Sequence, residues 1–420
     1  MTSSAIILGA NAESVPLIVS ALRNFDNVYV ADPYPESIGK TIEGVRPLDV
    51  NPVDTDAVLQ LCSKHQIESV LLGVADRLVY PYAKLCAQLN KQSCYSVNAA
   101  KILSNKILFN QTILSYGIFG IPNLNDIDAR DHLQKENWVV VKPADGNSSK
   151  GLTIVHEPYQ LNDAIIHAKN HSASKTTLIE PFMHEPGIGI YLTFYQGECI
   201  NSTIYDRIES KSHMGDNNLP VGSLYPSKYT DIYSKKVHSK LVELLKEVGF
   251  SNGPIMFSAY VCDDNIYVYD PGARLQGEGA DVGVQYLHGI DQKQLMINIS
   301  KSNTSVNNSI PFSNSQTELP IIASIWIYLG SGRIGAINGL DTIQQKKWFH
   351  ELRPRLNVGD FVTENMLNTE GSVFCRVYVK MRNRCEFKEI AQDLHSIISV
   401  NDEHGVEMIR DVSQIYADVN

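Results

Sequence analysis

Apolar and polar positions alternate along the first hundred residues in the way typical of strands followed by helices. Short apolar runs predict buried strands at Ala5–Leu8, Val28–Ala31 and Ser69–Gly73. Apolar residues at helical spacing predict helices from Val15 to Leu22, at Asp54–His65 and at Arg77–Leu89. The alternation predicts an open parallel α/β sheet, with strand ends at Gly9, Asp32 and Asp76 along the edge where such sheets bind ligands.

The segment Trp138–Val155 predicts a strand that ends at Lys142, a loop of small residues and a second strand. The loop, Asp145–Gly151, can bring backbone N–H groups and hydroxyls against phosphate oxygens, because no large side chain obstructs the approach. Lys142 would add a positive charge. The alternative is an ordinary hairpin whose lysine faces water. The Walker pattern G-x-x-x-x-G-K-[ST] is absent, so this is not a P-loop.

Further helices and strands continue through the middle of the chain. Predicted helices cover Asn105–Tyr116, which carries Lys106, Tyr159–Lys169 and Lys235–Val248. Predicted strands cover Thr177–Ile179, which leads to Glu180, Gly189–Tyr195, Glu198–Tyr205, Ile255–Cys262 and Ile266–Asp270. The last four strands pair as two hairpins, and the second hairpin runs into the sequence DPGAR, which ends at Arg274.

A C-terminal region begins near Leu319, after a segment rich in Ser and Asn, Lys301–Thr317, that predicts a linker. Ile321–Leu329 and Arg333–Ile337 predict a hairpin that turns at the intervening Gly-Ser-Gly. Further on, strands are predicted at Val373–Val379 and Ile397–Val400, with a helix over Glu386–Ile397 between them. This region therefore mixes helix and strand.

Composition limits the partners of the chain. Its 420 residues are 43% hydrophobic and 20% charged, and the formal net charge of −10 argues against nucleic acid as a partner. The seven cysteines are scattered without a C-x-x-C pair, which argues for reduced thiols and against structural zinc. The start MTSSAIILGA lacks a basic signal-peptide region, and no apolar run approaches the roughly 18 residues of a membrane span. We expect a cytoplasmic protein without a membrane partner.

The order of these features resembles the ATP-grasp superfamily, which includes biotin carboxylase and the large chain of carbamoyl-phosphate synthetase. An α/β region is followed by a helix with Lys106, a strand with Lys142, a strand ending at Glu180 and a hairpin leading to Arg274. The resemblance covers essentially the whole chain and looks most like short carbamoyl-phosphate-synthetase-like ligases of carbohydrate or surface-polymer pathways. It implies an ATP-grasp fold of mixed α/β and α+β class. The implied domains are a pre-ATP-grasp α/β domain at 1–100, a nucleotide-binding domain at 101–310 with a small lobe at about 112–185, and a mixed α+β domain at 311–420.

The resemblance implies how phosphate is bound. The two phosphate-binding lysines of the family fall on Lys106 and Lys142, and its flexible covering loop falls on Asp145–Gly151. The nucleotide-binding residues of that loop would then be Ser148, Ser149, Lys150 and Gly151. For Lys106 the alternative is a lysine that solvates the outer face of an amphipathic helix.

The resemblance also implies an adenine-binding hinge, the motif LIEPFM at 178–183. Glu180 would meet the amino edge of adenine, and the carbonyl of Pro181 and the N–H of Met183, on either side of Phe182, would complete the contact. Proline suits its position because it keeps its carbonyl and lacks only the N–H. The alternative is that Glu180 simply ends a strand.

Magnesium is expected at the second hairpin, where the family carries an acidic or amide residue on one strand and E-x-N-x-R on the other. Asp270 takes the place of the glutamate and Arg274 that of the arginine, but Gly272 replaces the asparagine. The position on the first strand falls near Phe257 or Ser258, neither of which carries a carboxylate. The usual two-metal site is therefore in doubt.

Two arrangements for magnesium stay open. Either Asp270 holds the ion together with water and the nucleotide, or Glu278 or Asp281 contributes a further oxygen. A plain turn at DPGAR, without a metal role, is the other reading of the same residues.

Substrate recognition is expected from the segment Asp206–Ser227, which combines Arg207, Lys211 and His213 with a loop rich in Pro and Gly. A His–Lys pair in such a loop suits a phosphate or a carboxylate, although solvated loop residues have the same composition.

The resemblance implies ATP-dependent ligation, in which a carboxylate attacks the γ-phosphate and an amine captures the acyl phosphate to give an amide. Lys142 and Arg274 would be the catalytic residues, with Arg274 stabilising the transferring phosphoryl group. A kinase or carboxylase is the alternative within the fold, and a non-catalytic ATP-binding regulator is the alternative of another class. The expected partners are a small-molecule carboxylate and a small-molecule amine, and a homodimer is one option because it is common among relatives.

Overall fold

The computed structural model describes residues 3–135, 137–145, 151–209, 219–301, 320–367 and 369–410. Several sequence predictions fall outside these ranges: Ser148, Ser149 and Lys150 of the loop, Lys211 and His213 of the substrate segment, and nearly all of the proposed linker. Within the described ranges, no helix combines the length and the apolar character that crossing a bilayer requires.

The N-terminal region is a parallel sheet with the strand order β3-β2-β1-β4. Its strands are β1 (Ser4–Leu8), β2 (Asn27–Asp32), β3 (Val45–Asp49) and β4 (Ser69–Leu72), and its helices are α1 (Val15–Leu22), α2 (Thr55–Lys64) and α3 (Val79–Gln88). The predicted parallel α/β sheet is confirmed. The short strand β3 was not predicted because its sequence, VRPLD, lacks an apolar run.

Two helices and a two-residue strand follow: α4 (Val97–Leu103), α5 (Lys106–Ser115) and β5 (Phe119–Gly120). Helix α5 begins at Lys106 because the side-chain oxygen of Asn105 accepts hydrogen bonds from the N–H groups of Ile107 and Leu108, both at 3.1 Å. This cap fixes Lys106 at the first position of the helix.

A small antiparallel sheet of order β7-β6-β8 comes next. Its elements are α6 (Asp126–Gln134), β6 (Val139–Pro143), β7 (Thr153–Val155), α7 (Leu161–Asn170) and β8 (Thr177–Pro181). Val139 and Val141 pack into a core with Val155 and the two helices. Because successive strand residues point to opposite faces, Lys142 lies on the face away from this core.

A second sheet carries the two predicted hairpins. The elements in this part of the chain are β9 (Gly187–Tyr195), β10 (Glu198–Glu209), β11 (Pro220–Tyr225), α8 (Thr230–Lys236), α9 (His238–Val248), β12 (Gly253–Cys262), β13 (Asn265–Gly272), α10 (Ala280–His288) and α11 (Gln292–Ser300). Strand β12 pairs with β9 and β13, and β13 pairs with β5. The helix predicted over Lys235–Val248 is wrong at its start, since the backbone at Val237 is not helical and separates α8 from α9.

The chain divides into two compact units: the first contains 1–203 and 229–312, and the second contains 204–228 and 313–420. The remaining elements of the second unit are β14 (Ile321–Tyr328), β15 (Gly332–Asn338), α12 (Leu340–Gln344), β16 (Phe349–Pro354), β17 (Phe361–Val362), β18 (Val373–Met381), α13 (Glu386–Ile397) and β19 (Ser399–Asp402). In this unit, strands run in the orders β16-β18-β14-β11-β10 and β17-β15-β19. An apolar core that includes Trp326, Phe374, Phe387 and Leu394 lies within it.

Two predictions for the second unit are wrong. Strands β14 and β15 do not form a hairpin, because β14 pairs with β11 and β18 whereas β15 pairs with β17 and β19. The connecting residues bond elsewhere, with Gly330 N–H donating to the carbonyl of Met408 at 2.7 Å. The segment Asp206–Ser227, predicted as a loop, contains the end of β10 and all of β11.

Candidate nucleotide-binding site

An ion pair joins the start of α5 to strand β13. The ammonium of Lys106 lies 2.7 Å from Oδ1 of Asp270. The Asn105 cap sets the position of the lysine, and Phe109, one turn along the same helix, stacks on Phe257 of β12 with ring centroids 5.4 Å apart. Helix packing therefore presents Lys106 to the β12–β13 hairpin.

Asp270 occupies a bulge in β13. The pairing register shifts there, so that Phe257 opposes Pro271 while Ser258 opposes Tyr269, which leaves Asp270 as the extra residue. Its φ of +47° lies in the left-handed region that non-glycine residues rarely adopt. Such a conformation costs free energy of the order of 1 kcal/mol or more, and it persists where the surroundings enforce it, often at functional sites.

A second ion pair joins two strands of the small sheet. Lys142 Nζ lies 2.6 Å from Glu180 Oε2, and each side chain is 10% exposed. The register explains the contact: Lys142 pairs with Leu178 and Val140 pairs with Glu180, so the two charged residues are diagonal neighbours on one face. Lys142 also lies 5.5 Å from the ring centroid of Tyr269 on β13.

A third ion pair links the DPGAR sequence to the N-terminal sheet. Nη2 of Arg274 donates to Oδ2 of Asp76, which follows strand β4, and Nη1 donates to the carbonyl of Leu275 at 2.9 Å. The guanidinium is thus held at two points. Sequence reasoning placed Asp76 at the ligand edge of the parallel sheet but missed it as the partner of Arg274, because the two are 198 positions apart.

The cations of these pairs all act on Asp270. Burial favours its neutral form, but the charges of Lys106, Lys142 and Arg274 and the hydrogen bond from Lys106 hold the pKa of Asp270 below its usual value. Conversely, burial disfavours the charge of Lys106, yet Asp270, Glu180 and Asp76 keep the pKa of that lysine above its usual value. Lys106, Lys142 and Arg274 therefore all lie near enough to Asp270 to act on its charge.

The predicted adenine hinge lies at the open edge of the small sheet. The N–H of Phe182 donates to the carbonyl of Trp138 at 2.9 Å, and Val139 pairs with Pro181. Antiparallel alternation therefore turns the Pro181 carbonyl away from β6. Met183 follows this edge, and the ring of Phe182 packs 5.5 Å from that of Trp138. The contact between the Glu180 carboxylate and Lys142 was not predicted from the sequence.

The base of the predicted phosphate loop is fixed at both ends by one segment after α7. Asp145 accepts hydrogen bonds from the hydroxyl of Ser172 at 2.7 Å and from the N–H of Ser174 at 2.8 Å. Gly151 has a φ of +77°, and a Cβ there would lie 2.5 Å from Cβ of His171. Only glycine fits this close approach.

The alternative metal ligands differ in their surroundings. Asp281 is buried in α10 and pairs with Lys293 Nζ at 2.6 Å, while Glu278 accepts a hydrogen bond from Gln276 at 2.9 Å. On strand β12, Phe257 is buried in the core, whereas Ser258 is half-exposed and is the candidate metal ligand of that strand. Within the described ranges, no group of three or more His, Cys, Asp or Glu side chains is arranged to hold a metal.

One of the predicted substrate residues, Arg207, lies among the described residues. Arg207 lies in strand β10 of the second unit, with Nε 3.7 Å from Oε1 of Glu209. The first unit contains Lys106, Lys142, Glu180, Asp270 and Arg274.

Comparison with known proteins gives one curated relative. No family model matches the chain. The chain is similar to the ATP-grasp enzyme fsqD of Aspergillus fumigatus, with 23% identity over 178 residues. The match covers 42% of this chain and spans only 30% of that relative's length.

Solved structures match over nearly the whole chain. An L-amino acid ligase from Bacillus licheniformis has a TM-score of 0.74 at 16% identity, covering 96% of this chain and 99% of its own. Phosphoribosylglycinamide synthetase from Anaerococcus prevotii has a TM-score of 0.73 at 15% identity, covering 96% and 100%. The biotin carboxylase domain of 2-oxoglutarate carboxylase from Hydrogenobacter thermophilus has a TM-score of 0.71 at 14% identity, covering 98% and 92%. The chain has the ATP-grasp fold, which confirms the predicted fold class.

Proposed function

We propose that this protein is an ATP-dependent ligase that joins a small-molecule carboxylate to a small-molecule amine. The observation that carries the proposal is the convergence of Lys106, Lys142 and Arg274 on Asp270 within one unit of the fold. Each cation pairs with a different carboxylate, Lys106 with Asp270, Lys142 with Glu180 and Arg274 with Asp76. A triphosphate with a divalent cation would exchange with these contacts, the phosphates taking the cationic groups and the metal taking carboxylate oxygen.

The nucleotide would lie between the small sheet and the β12–β13 hairpin. Adenine would meet the outer edge of β8 with the carbonyl of Pro181 and the N–H of Met183 as its partners, and Glu180 would accept from its amino group. Lys142 would then exchange part of its contact with Glu180 for phosphate oxygens. Lys106, at the start of α5, would neutralise the phosphates from the other side.

Magnesium fits the donor set at this site. Asp270 supplies a carboxylate oxygen, the ligand type that Mg²⁺ prefers, and Mg²⁺ commonly takes only one or two protein carboxylates beside phosphates and water. When bound, the cation would neutralise charge on the phosphates. The biotin carboxylase domain with a similar fold was solved with the magnesium salt of ADP.

The reaction would proceed in two steps that need no cofactor besides ATP and the divalent cation. The substrate carboxylate attacks the γ-phosphorus of ATP and ADP leaves, which gives an acyl phosphate. The amine then attacks the acyl carbon and phosphate leaves, which gives an amide after loss of a proton. Arg274 would stabilise the phosphoryl group in both steps, since its guanidinium is fixed by Asp76 and by the carbonyl of Leu275.

Arg207 remains our proposed contact for an anionic group of the substrate, and carbohydrate or surface-polymer biosynthesis remains the proposed setting. A carboxylase or a kinase would use the same first step with a different acceptor. A regulator that binds ATP without turnover is favoured by one specific observation, the absence of a carboxylate at Phe257 and Ser258 on the first strand.

The test is ATP consumption by the purified chain with a matrix of carboxylates and amines. ADP and phosphate released only when both substrates are present, together with an amide product, would support the ligase. ADP with a phosphorylated product from one substrate would assign a kinase, and tight binding of ATP without turnover would assign the regulator. Lys246→Met, which removes a lysine paired with Glu198 on the surface, serves as the control for Lys106→Met.

A further inference from the structure

Gly272 of strand β13 lies beside the carboxylate of Asp76. A Cβ built at Gly272 would lie 3.4 Å from Oδ1 of Asp76 and 3.0 Å from Cγ of Met256. A side chain at this position would therefore occupy the space next to the Asp76 carboxylate. The family pattern places an asparagine here, whose amide oxygen would project beyond that Cβ into the same space.

The two carboxylate oxygens of Asp76 differ in their hydrogen bonding. Oδ2 accepts from Arg274, whereas Oδ1 is shielded from solvent and has no hydrogen-bond partner among the described residues. A buried carboxylate oxygen without a partner costs free energy, so such an atom points to a ligand. The side chain as a whole is 35% exposed, so the carboxylate lies at the margin of the solvent.

We infer that Asp76 is a second protein ligand of the nucleotide-bound divalent cation and supplies the oxygen that Gly272 cannot. This inference rests on the proposed binding of ATP with a divalent cation, and goes beyond it by assigning a ligand from the N-terminal sheet. With Asp270 on β13, Asp76 gives the cation two carboxylates, the number that magnesium sites beside phosphates commonly have. The same carboxylate that fixes Arg274 then also fixes the metal.

The experiment measures the binding of Mn²⁺, which replaces Mg²⁺ as a spectroscopic probe, to the full chain saturated with ADP. Electron paramagnetic resonance gives the free Mn²⁺ concentration, so the readout does not depend on turnover. We expect Asp76→Ala to weaken Mn²⁺ binding about tenfold or more, in the range that metal-site substitutions commonly cost. The double variant D76A/G272N should recover most of that loss, because the asparagine introduced on β13 returns an oxygen and the shortened side chain at position 76 makes room for it.

Two control variants separate metal binding from other effects. Asp54→Asn removes one negative charge from the same N-terminal region and keeps its helix cap, so it should leave Mn²⁺ affinity unchanged. Asp76→Asn keeps an acceptor for Arg274 but removes the charge, and should bind Mn²⁺ with an affinity between those of the wild type and Asp76→Ala. ADP binding in the presence of a chelator shows whether each variant still holds the nucleotide.

Unchanged Mn²⁺ affinity in Asp76→Ala would overturn the inference. The inference would also be overturned if Asp76→Ala lost Mn²⁺ affinity and D76A/G272N did not restore it, since Asp76 would then act only by holding Arg274. Crystals of the wild type with Mn²⁺ and ADP decide the matter even if a variant does not fold, because the anomalous signal must lie within direct coordination distance of an oxygen of Asp76. A chain that binds Mn²⁺ and ADP in this way but never turns over would refute the proposed ligase and leave this inference standing.

Discussion

Lys106 Nζ and Asp270 Oδ1 lie 2.7 Å apart, and this contact ties the first residue of α5 to a bulge whose backbone is held in a left-handed conformation. The lysine thus neutralises a carboxylate that is held in place by an unusual backbone geometry. In the proposed reaction the same ammonium faces the triphosphate.

Lys106→Met is expected to lower kcat/KM for ATP by about 10²–10³-fold, the usual cost of removing one preorganised charge donor. Lys106→Arg should retain part of the activity because it keeps the charge but not the shape of the donor. The measurement is steady-state ADP release at varied ATP. Activity of Lys106→Met within about threefold of the wild type would contradict a phosphate role for this lysine.

Substitutions in the Lys142–Glu180 pair should lower the stability of the protein as well as its activity. Both side chains are 10% exposed, so Lys142→Met leaves a buried carboxylate without its partner and should cost about 3 kcal/mol in the free energy of unfolding. The double variant K142M/E180Q should be more stable than Lys142→Met, because neither charge is then buried alone. Urea unfolding of the single and double variants tests this, and a double variant that is less stable than both singles would contradict it.

Gly151→Ala tests the close approach at the base of the phosphate loop. The left-handed φ alone should cost about 1–2 kcal/mol in stability, and the contact of 2.5 Å with Cβ of His171 should add about 1–3 kcal/mol of overpacking. Gly197→Ala is the matched control, since its φ of +81° is similar and nothing lies within 4 Å of the added Cβ. Equal destabilisation of the two variants would show that the contact with His171 adds no destabilisation to Gly151→Ala.

Asn105 should influence nucleotide binding without touching the nucleotide. Asn105→Ala removes the cap of α5 and should cost about 1 kcal/mol in stability, while freeing the first turn that positions Lys106. We therefore expect a lower melting temperature together with a raised KM for ATP. Asn105→Ser keeps a capping oxygen and should restore both. A raised KM with an unchanged melting temperature would instead assign Asn105 a direct contact.

Local patterns in the sequence predict those parts of the fold that local interactions determine. The parallel strands around Ile6 and Leu71, the hairpin around Gln196 and Gly197, and the helix over Asn105–Tyr116 all follow from apolar periodicity and turn residues. The turn is confirmed in detail, since both of its residues have positive φ.

Features set by distant pairing could not be predicted in the same way. The wrong hairpin between β14 and β15 had suitable strands and a glycine turn, but Leu329 and Gly330 bond to Ser372 and Met408 instead. Pairing with distant strands therefore overrode the local preference for a hairpin between β14 and β15. The ion pair between Asp76 and Arg274 is also set by distant pairing. Asp76 was predicted at the ligand edge of the sheet and Arg274 in the DPGAR motif, but no local sequence pattern indicates that the two residues are in contact.

Asp393 offers a test of how pH acts on the second unit. Its carboxylate in α13 accepts from Lys346 Nζ at 2.9 Å and from Trp348 Nε1 at 3.0 Å. The hydrogen bond from Lys346 is the main cause that holds the pKa of Asp393 below its usual value, although burial opposes it and Trp348 assists. A pKa lowered on folding means that the stabilisation is complete above the unfolded-state pKa of about 3.9 and is lost as pH falls through the folded value.

Asp393→Asn should therefore be less stable than the wild type at pH 7, by at most about 1 kcal/mol because the pair is partly exposed and screened. The difference should shrink as the pH falls below about 4, where the wild-type carboxylate takes up a proton. Urea unfolding at pH 7 and pH 3 measures both differences. Glu403→Gln, whose exposed carboxylate lies 3.7 Å from the ring nitrogen of His404 and 4.0 Å from the guanidinium of Arg333, should show little difference at either pH. A stability gap for Asp393→Asn that stays constant down to pH 3 would mean that its contact with Lys346 does not depend on the charge of the carboxylate.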